Sequence, residues 1–204
     1  MTQNSNNNIT AVILAGGKGR RMEGQDKGLV PVVDGPLIGK VIDRIKPQVT
    51  RILISANRNI AEYSRFGFPV VEDSLDSFAG PLSGILSAMD LTDGDKLVVI
   101  PCDMPLVPDD IVNRLVSCLS ESSADVCCVR EHDRLQPLVC ILRTTLRGHL
   151  YTFLSQGKHK VRDWLQSQKL ATLDYPEGNG CFININTREE LIDFENRIDC
   201  EHEC

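Results

Sequence analysis

The stretch ITAVILAGG, Ile9 to Gly17, runs directly into KGRRMEGQDKGL, Lys18 to Leu29, and this junction decides how the rest of the chain is read. An apolar run of strand length ends in Ala15, Gly16 and Gly17 and gives way to a loop crowded with charge. Glycine lets a backbone approach a ligand closely, and Lys or Arg offsets phosphate charge, so the junction predicts a polyphosphate site at the end of a strand. From Lys18 to Lys27, Lys18, Arg20, Arg21 and Lys27 outweigh Glu23 and Asp26 by two charges, in a chain whose net charge is −6. An acidic chain is a poor match for nucleic acid or an anionic membrane, so neither is expected as a partner and the anion site must be local.

Working outward, β-rich runs alternate with segments of helical period: TAVIL, RILIS, PVVE, KLVVIP and ADVCCV are separated by sets such as Leu37, Val41, Ile42 and Ile45, or Leu82, Ile85, Leu86 and Met89. That order predicts an α/β domain of three layers, with helices on both faces of a mostly parallel sheet. AVIL and LVVI lack polar alternation, as central strands buried on both faces should. After Val129 the rhythm changes, and LQPLVCIL with the helix-like segments behind it reads as a subdomain or lid. Thr187 and Glu190 stand at capping-box spacing ahead of a helix carrying Leu191, Phe194 and Ile198. The 204 residues suit one domain. The expected limits are a polar tail over 1–8, a nucleotide-binding half over 9–130, a second-substrate half over 131–199 and a short tail over 200–204.

MTQNSNNN has neither a basic nor an apolar region of a secretory signal, and no apolar run is long enough to span a membrane, so a cytoplasmic location is expected. The eight cysteines are scattered and read as reduced thiols. Cys200, His202 and Cys204 are the nearest approach to a metal signature, without a second ligand pair at zinc spacing.

Two familiar phosphate loops fail. No G-x-x-x-x-G-K-[ST] occurs, and a dinucleotide fingerprint starting at Gly17 and Gly19 meets Met22 where its third glycine belongs. What remains is L-A-G-G-x-x-x-R-M-x-G-x-D-K-G-L, Leu14 to Leu29. Here the chain resembles the nucleotidyltransferases of Rossmann-like fold, the class that includes nucleotide-diphosphosugar transferases, and more narrowly the molybdenum cofactor guanylyltransferases. The resemblance continues in order through SANR (55–58), Glu72 and Asp73, GPLSG (80–84), PCDMP (101–105), QPL (136–138) and NINT (184–187). Glu23 departs from it, standing where the family usually has glycine.

Leu14, Ala15, Gly16 and Gly17 end a strand, where open α/β sheets place ligands, so they are candidates to contact nucleotide; a simple tight turn is the alternative. Lys27 resembles the family's nucleotide-binding lysine, with Arg21 as a second catalytic cation, while Lys18 and Arg20 read equally well as solvated charges. Asp103 closes a buried strand against a proline-bounded turn, a place suited to a hard cation, Mg2+ by choice, or else to capping the turn. Asn184 and Asn186 fall on one face of an extended segment and could meet Asp103 around the metal or grip the second substrate; starting the next helix is their other role. By resemblance Asn57 and Asp73 contact the nucleotide. Gly80 and Gly84 either make room for guanine and ribose or cap and pack the following helix, and Gln136 is a candidate second-substrate contact. The four histidines form no triad pattern, and Ser83 is not in a G-x-S-x-G elbow.

The resemblance implies transfer of GMP from GTP to the terminal phosphate of molybdopterin, with pyrophosphate released and Mg2+ required. Its implied partners are GTP, molybdopterin, and carriers or acceptor enzymes of the molybdenum cofactor. LAGG and DKGL favour guanine over cytosine, because the related molybdopterin cytidylyltransferases tend to LAAG and a K-L-L-type segment. A sugar-phosphate nucleotidyltransferase and a non-catalytic nucleotide-binding regulator are the alternatives.

Overall fold

In a computed structural model, residues 8–15, 26–73, 80–176 and 180–202 are described, the last six of them without side chains. The strands are β1 (Thr10–Leu14), β2 (Pro31–Val32), β3 (Gly35–Pro36), β4 (Arg51–Ser55), β5 (Val70–Val71), β6 (Lys96–Pro101), β7 (Val126–Glu131), β8 (Arg134–Arg143) and β9 (Leu170–Asp174). The helices are α1 (Leu37–Ile45), α2 (Ile60–Ser64), α3 (Pro81–Asp90), α4 (Ile111–Glu121), α5 (Arg147–Ser155), α6 (Val161–Gln166) and α7 (Arg188–His202). Seven strands make one sheet in the order β5-β4-β1-β6-β8-β7-β9, and β2 pairs with β3 in a separate hairpin. β8 alone runs against the others, antiparallel to β6 and β7, which gives the mostly parallel three-layer α/β domain expected.

Both faces of the sheet are apolar, which is why period-two alternation is invisible in the sequence. Ala11, Ile13, Ile52, Ile54, Val98 and Ile100 turn to the layer holding α1 and α4. Val12, Leu53, Leu97 and Val99 turn to the layer holding α3, α5 and α6. Each residue step crosses the sheet, so unbroken hydrophobic strands are required. The only tryptophan, Trp164 on α6, is fully buried in the second layer, and its indole N–H has no partner among the described residues.

Two expectations change, and one strand was not foreseen. The run LQPLVCIL is no lid: as β8 it inserts between β6 and β7, joined to β7 by a two-residue turn in which His132 takes φ 51°. Such a turn, with left-handed backbone, is what folds a hairpin back into the sheet it leaves. β9 escapes sequence reading because it pairs only with β7 and is half exposed, so its apolar signal is thin. Cys118 of α4 and Cys127 of β7 form a disulfide, with Cα atoms 6.6 Å apart, where reduced thiols were expected. Their approach is created by α4 packing on β7, which spacing in the chain does not reveal. Cys102, Cys128 and Cys140 are buried and stand outside this disulfide.

Candidate active site

β4 and β6 flank β1 on opposite sides, so the chain departs from β1 in two directions and leaves a crevice at the carboxyl ends. That is where open α/β sheets bind ligands. Leu14 pairs with Ser55 and Pro101 at this edge. Beyond it, the Ala15 N–H donates to the Ser55 carbonyl at 2.8 Å and the Cys102 N–H to the Leu14 carbonyl at 3.1 Å, carrying both strands one residue further. Gly16, Gly17 and Arg21, with Lys18, Arg20 and Glu23, lie outside the described residues.

Lys27 opens a short 3-10 turn, Lys27–Leu29. Its ammonium lies 3.3 Å from Asp103 Oδ2 and donates to Asn186 Oδ1, joining residues from three distant parts of the chain. The backbone fixes this meeting: the Ile185 N–H donates to the Asp103 carbonyl at 2.9 Å, and the Ile185 side chain is buried with Val32, Leu37 and Phe194. Asn186 Nδ2 donates to the Asn184 carbonyl at 3.1 Å, which turns the amide oxygen toward Lys27. The expected capping box is present and does a second job. Glu190 Oε2 accepts from the N–H groups of Thr187 and Asn186, at 2.9 and 2.6 Å, while Thr187 Oγ1 accepts from the Glu190 N–H at 3.2 Å. Asn184 to Asn186 belong to no regular element and dock on Asp103 through Ile185.

Burial holds the Asp103 carboxyl above its ordinary range, and the neighbouring Lys27 offsets this only in part. Burial also pushes the adjacent Cys102 thiol well up, so it stays neutral. Asp103 is thus an ionisable group kept in a costly place, a pattern that marks functional sites.

Along the same edge, Asn57 and Asp73 embrace. Asn57 Nδ2 donates to Asp73 Oδ2 at 2.9 Å and Asn57 Oδ1 accepts from the Asp73 N–H at 2.8 Å. Ser83 on α3 adds its hydroxyl to Asp73 Oδ2 at 2.7 Å. Gly80, at φ 138°, reaches a backbone region closed to most L-residues and starts α3. Gly84 brings α3 close to the sheet: a methyl group there would stand 2.3 Å from Ser55 Oγ. Gln136 is buried on the part of β8 that passes β6 on its carboxyl side, the side of Asp103.

Sequence reasoning missed Asp26. It is buried, and Tyr63 donates to its Oδ1 at 2.5 Å, Asn59 to its Oδ2 at 3.0 Å, while Arg58 Nε stands 3.2 Å from Oδ2. Burial raises the Tyr63 pKa far above the ordinary phenol, so the hydroxyl remains a donor. Gly28 makes room for this: a Cβ on it would lie 2.6 Å from the Tyr63 hydroxyl oxygen. Asp26 and Lys27 are adjacent in sequence, yet one carboxylate is fastened to α2 and its surroundings while the next side chain reaches Asp103. The readable signal was the D-K-G order itself, where a carboxylate beside the expected phosphate-binding cation needs a reason.

Among the described residues no group of three or more His, Cys, Asp or Glu side chains could hold a metal, and no helix is long and apolar enough to cross a membrane. Residues 11–172 match the MobA-like NTP transferase domain. A molybdenum cofactor guanylyltransferase of Shewanella loihica is 43% identical over 89% of this chain and 93% of its own length. Its counterpart in Shewanella piezotolerans is 44% identical over 89% of each chain. Among solved structures, the molybdopterin-guanine dinucleotide biosynthesis protein A of Archaeoglobus fulgidus superposes with a TM-score of 0.79 at 24% identity, covering 94% of this chain and 98% of its own. A nucleotidyl transferase of Methanothermobacter thermautotroptrophicus reaches 0.76 at 16% identity, covering 96% and 99%.

Proposed function

We propose, for a chain that belongs to the MobA-like NTP transferase family and within it to the molybdenum cofactor guanylyltransferases, that it transfers GMP from GTP to the terminal phosphate of molybdopterin and releases pyrophosphate. The observation that carries this for the site is the convergence of Lys27, Asp103 and Asn186 at the carboxyl edge of β1 and β6. One cation, one carboxylate and amide oxygens at a sheet's switch point suit two polyanionic substrates brought end to end.

The nucleophile is a phosphate monoester whose second pKa is about 6, so it is largely dianionic at neutral pH and needs no strong base from the protein. The work left to the chain is to align two anions and stabilise the leaving pyrophosphate. Lys27 binds the phosphates and takes up charge on the departing group, with Arg21 assisting. Leu14, Ala15, Gly16 and Gly17 hold the nucleotide along the backbone. The Asn57 and Asp73 pair, stiffened by Ser83 and backed by Gly80 and Gly84, takes the nucleoside end. Asn184, Asn186 and Gln136 face the second substrate.

Mg2+ fits this site. Two hard oxygens, Asp103 Oδ2 and Asn186 Oδ1, already converge on a cationic nitrogen that stands where an ion would. One carboxylate is enough, because Mg2+ is usually held by one or two carboxylates together with substrate phosphates. Asp103, with Asn186 as second ligand, would hold it, and the ion would neutralise charge on the triphosphate. The cytoplasm, where GTP and molybdopterin meet, is the proposed location, and carriers or acceptor enzymes of the molybdenum cofactor are the proposed protein partners.

The test is incubation of the full chain with molybdopterin and labelled GTP or CTP, following pyrophosphate and the dinucleotide product. GTP-dependent formation of both is expected. A clear preference for CTP would overturn the guanylyl reading, and nucleotide binding without pyrophosphate release would leave a regulator.

A further inference from the structure

We infer that Lys27 is a built-in competitor of the metal ion at Asp103, so that the nucleotide must draw the ammonium away before the ion binds well. The inference rests on the metal-dependent guanylyl transfer proposed above and deepens it. Asp103 Oδ2 is the oxygen that Lys27 approaches, at 3.3 Å, and Asp103 is the carboxylate proposed above to hold the ion. Asn186 Oδ1 accepts from the same ammonium. A small ion and an ammonium cannot both occupy the point where these two oxygens converge, and two cations there repel each other.

The hold on Lys27 is reinforced from both sides. Behind it, Asp26 is fastened by Tyr63, Asn59 and Arg58, which keeps the backbone at residue 26 in place. In front, Glu190 accepts the Asn186 N–H, and the Asn184 carbonyl accepts from the Asn186 amide, so the oxygen facing Lys27 is not free to swing. Lys27 is therefore presented to Asp103 by a fixed framework. With side chains only 22% and 12% exposed, the pair is little weakened by solvent.

A triphosphate changes the balance. It offers Lys27 several anionic oxygens in exchange for one carboxylate, and it brings oxygen ligands of its own to the ion. Once the ammonium swings to phosphate, Asp103 and Asn186 become available together. Ion and nucleotide then favour each other's binding through Lys27, and the coupling is reciprocal as thermodynamics requires. Without nucleotide, the protein is kept from sequestering metal ions.

The measurement is Mn2+ binding by the full-length protein without nucleotide, read from the electron paramagnetic resonance signal of the free ion at pH 8. Lys27→Met removes the charge and offers no oxygen of its own, and it is expected to bind Mn2+ roughly five- to fiftyfold more tightly than the unaltered protein. Lys27→Arg keeps the charge and is expected to stay within about twofold of it. Adding Asp103→Asn to Lys27→Met should abolish the gained binding. Equal Mn2+ affinity in Lys27→Met and the unaltered protein would overturn the competition, while GTP-dependent pyrophosphate release would still uphold guanylyl transfer. Tight binding that survives Asp103→Asn would place the ion elsewhere and overturn both the inference and the metal assignment of Asp103. Tight binding by Lys27→Arg would also overturn it, because charge would not be the cause.

Discussion

Two carboxylates separated by most of a Rossmann-like half, Asp26 and Asp103, sit at either end of the same lysine's surroundings and are treated oppositely. Asp26 accepts from the Tyr63 hydroxyl and the Asn59 amide and is ion-paired with the Arg58 guanidinium. Among the described residues Lys27 is the cation beside Asp103, and burial outweighs it so that the carboxyl sits above the ordinary range. A carboxylate saturated by fixed donors belongs to the framework. One that is buried with its pKa raised is a candidate for chemistry. The contrast separates support from chemistry at a site where chain proximity does not.

Asp103→Asn should produce the largest effect on activity and little on stability. It is expected to lower kcat/KM for pyrophosphate release by about 10³-fold, the scale of losing a preorganised charge in a water-poor site. A buried group whose pKa is raised on folding contributes stability at pH below its ordinary value of 3.8, and loses that contribution as pH rises through the raised value. At pH 7 the ionised Asp103 is thus a burden, and the urea midpoint of Asp103→Asn should equal or exceed that of the unaltered protein. A large loss of stability would erase the contrast with Asp26.

Lys27→Ala should follow, lowering kcat/KM roughly 10²-fold or more. It carries a second signature: Lys27 lowers the Asp103 pKa, so in the protein without metal the Asp103 carboxyl of the variant must titrate at higher pH. A carboxyl that titrates unchanged would mean that Lys27 does not govern it.

Asp26→Ala should act on the other side of the comparison. Removing a buried carboxylate strands the Tyr63 hydroxyl and the Arg58 charge, and a loss of about 2 kcal/mol in urea unfolding is expected. If it instead matched Asp103→Asn in lost activity with the fold intact, Asp26 would belong to the chemistry. Tyr63→Phe removes one donor and leaves the ring packed. About 1 kcal/mol of destabilisation, with kcat/KM nearly kept, would sharpen the assignment.

Much of this was legible in the chain, for particular reasons. TAVIL and KLVVIP announced central strands because both of their faces are buried, and DKGL announced the lysine that meets Asp103. Asp103 could be singled out because it follows a buried run, and the capping box of Thr187 and Glu190 was readable as spacing. What escaped depends on contacts between distant segments. The pairing of Asn186 with Lys27 needs Ile185 docked on the Asp103 backbone, and the role of Asp26 needs Tyr63 and Asn59 brought to it from beyond β4. The Cys118 and Cys127 disulfide needs α4 laid against β7. β8 was misjudged because a hairpin that returns into its own sheet has the same local pattern as one that leaves it.

The solitary tryptophan offers a practical separation. Trp164 is fully buried in the layer of α3, α5 and α6. Its fluorescence will therefore follow melting of the fold. A single emission trace can certify that a variant is folded before its catalysis is judged, with no label attached and no ligand present.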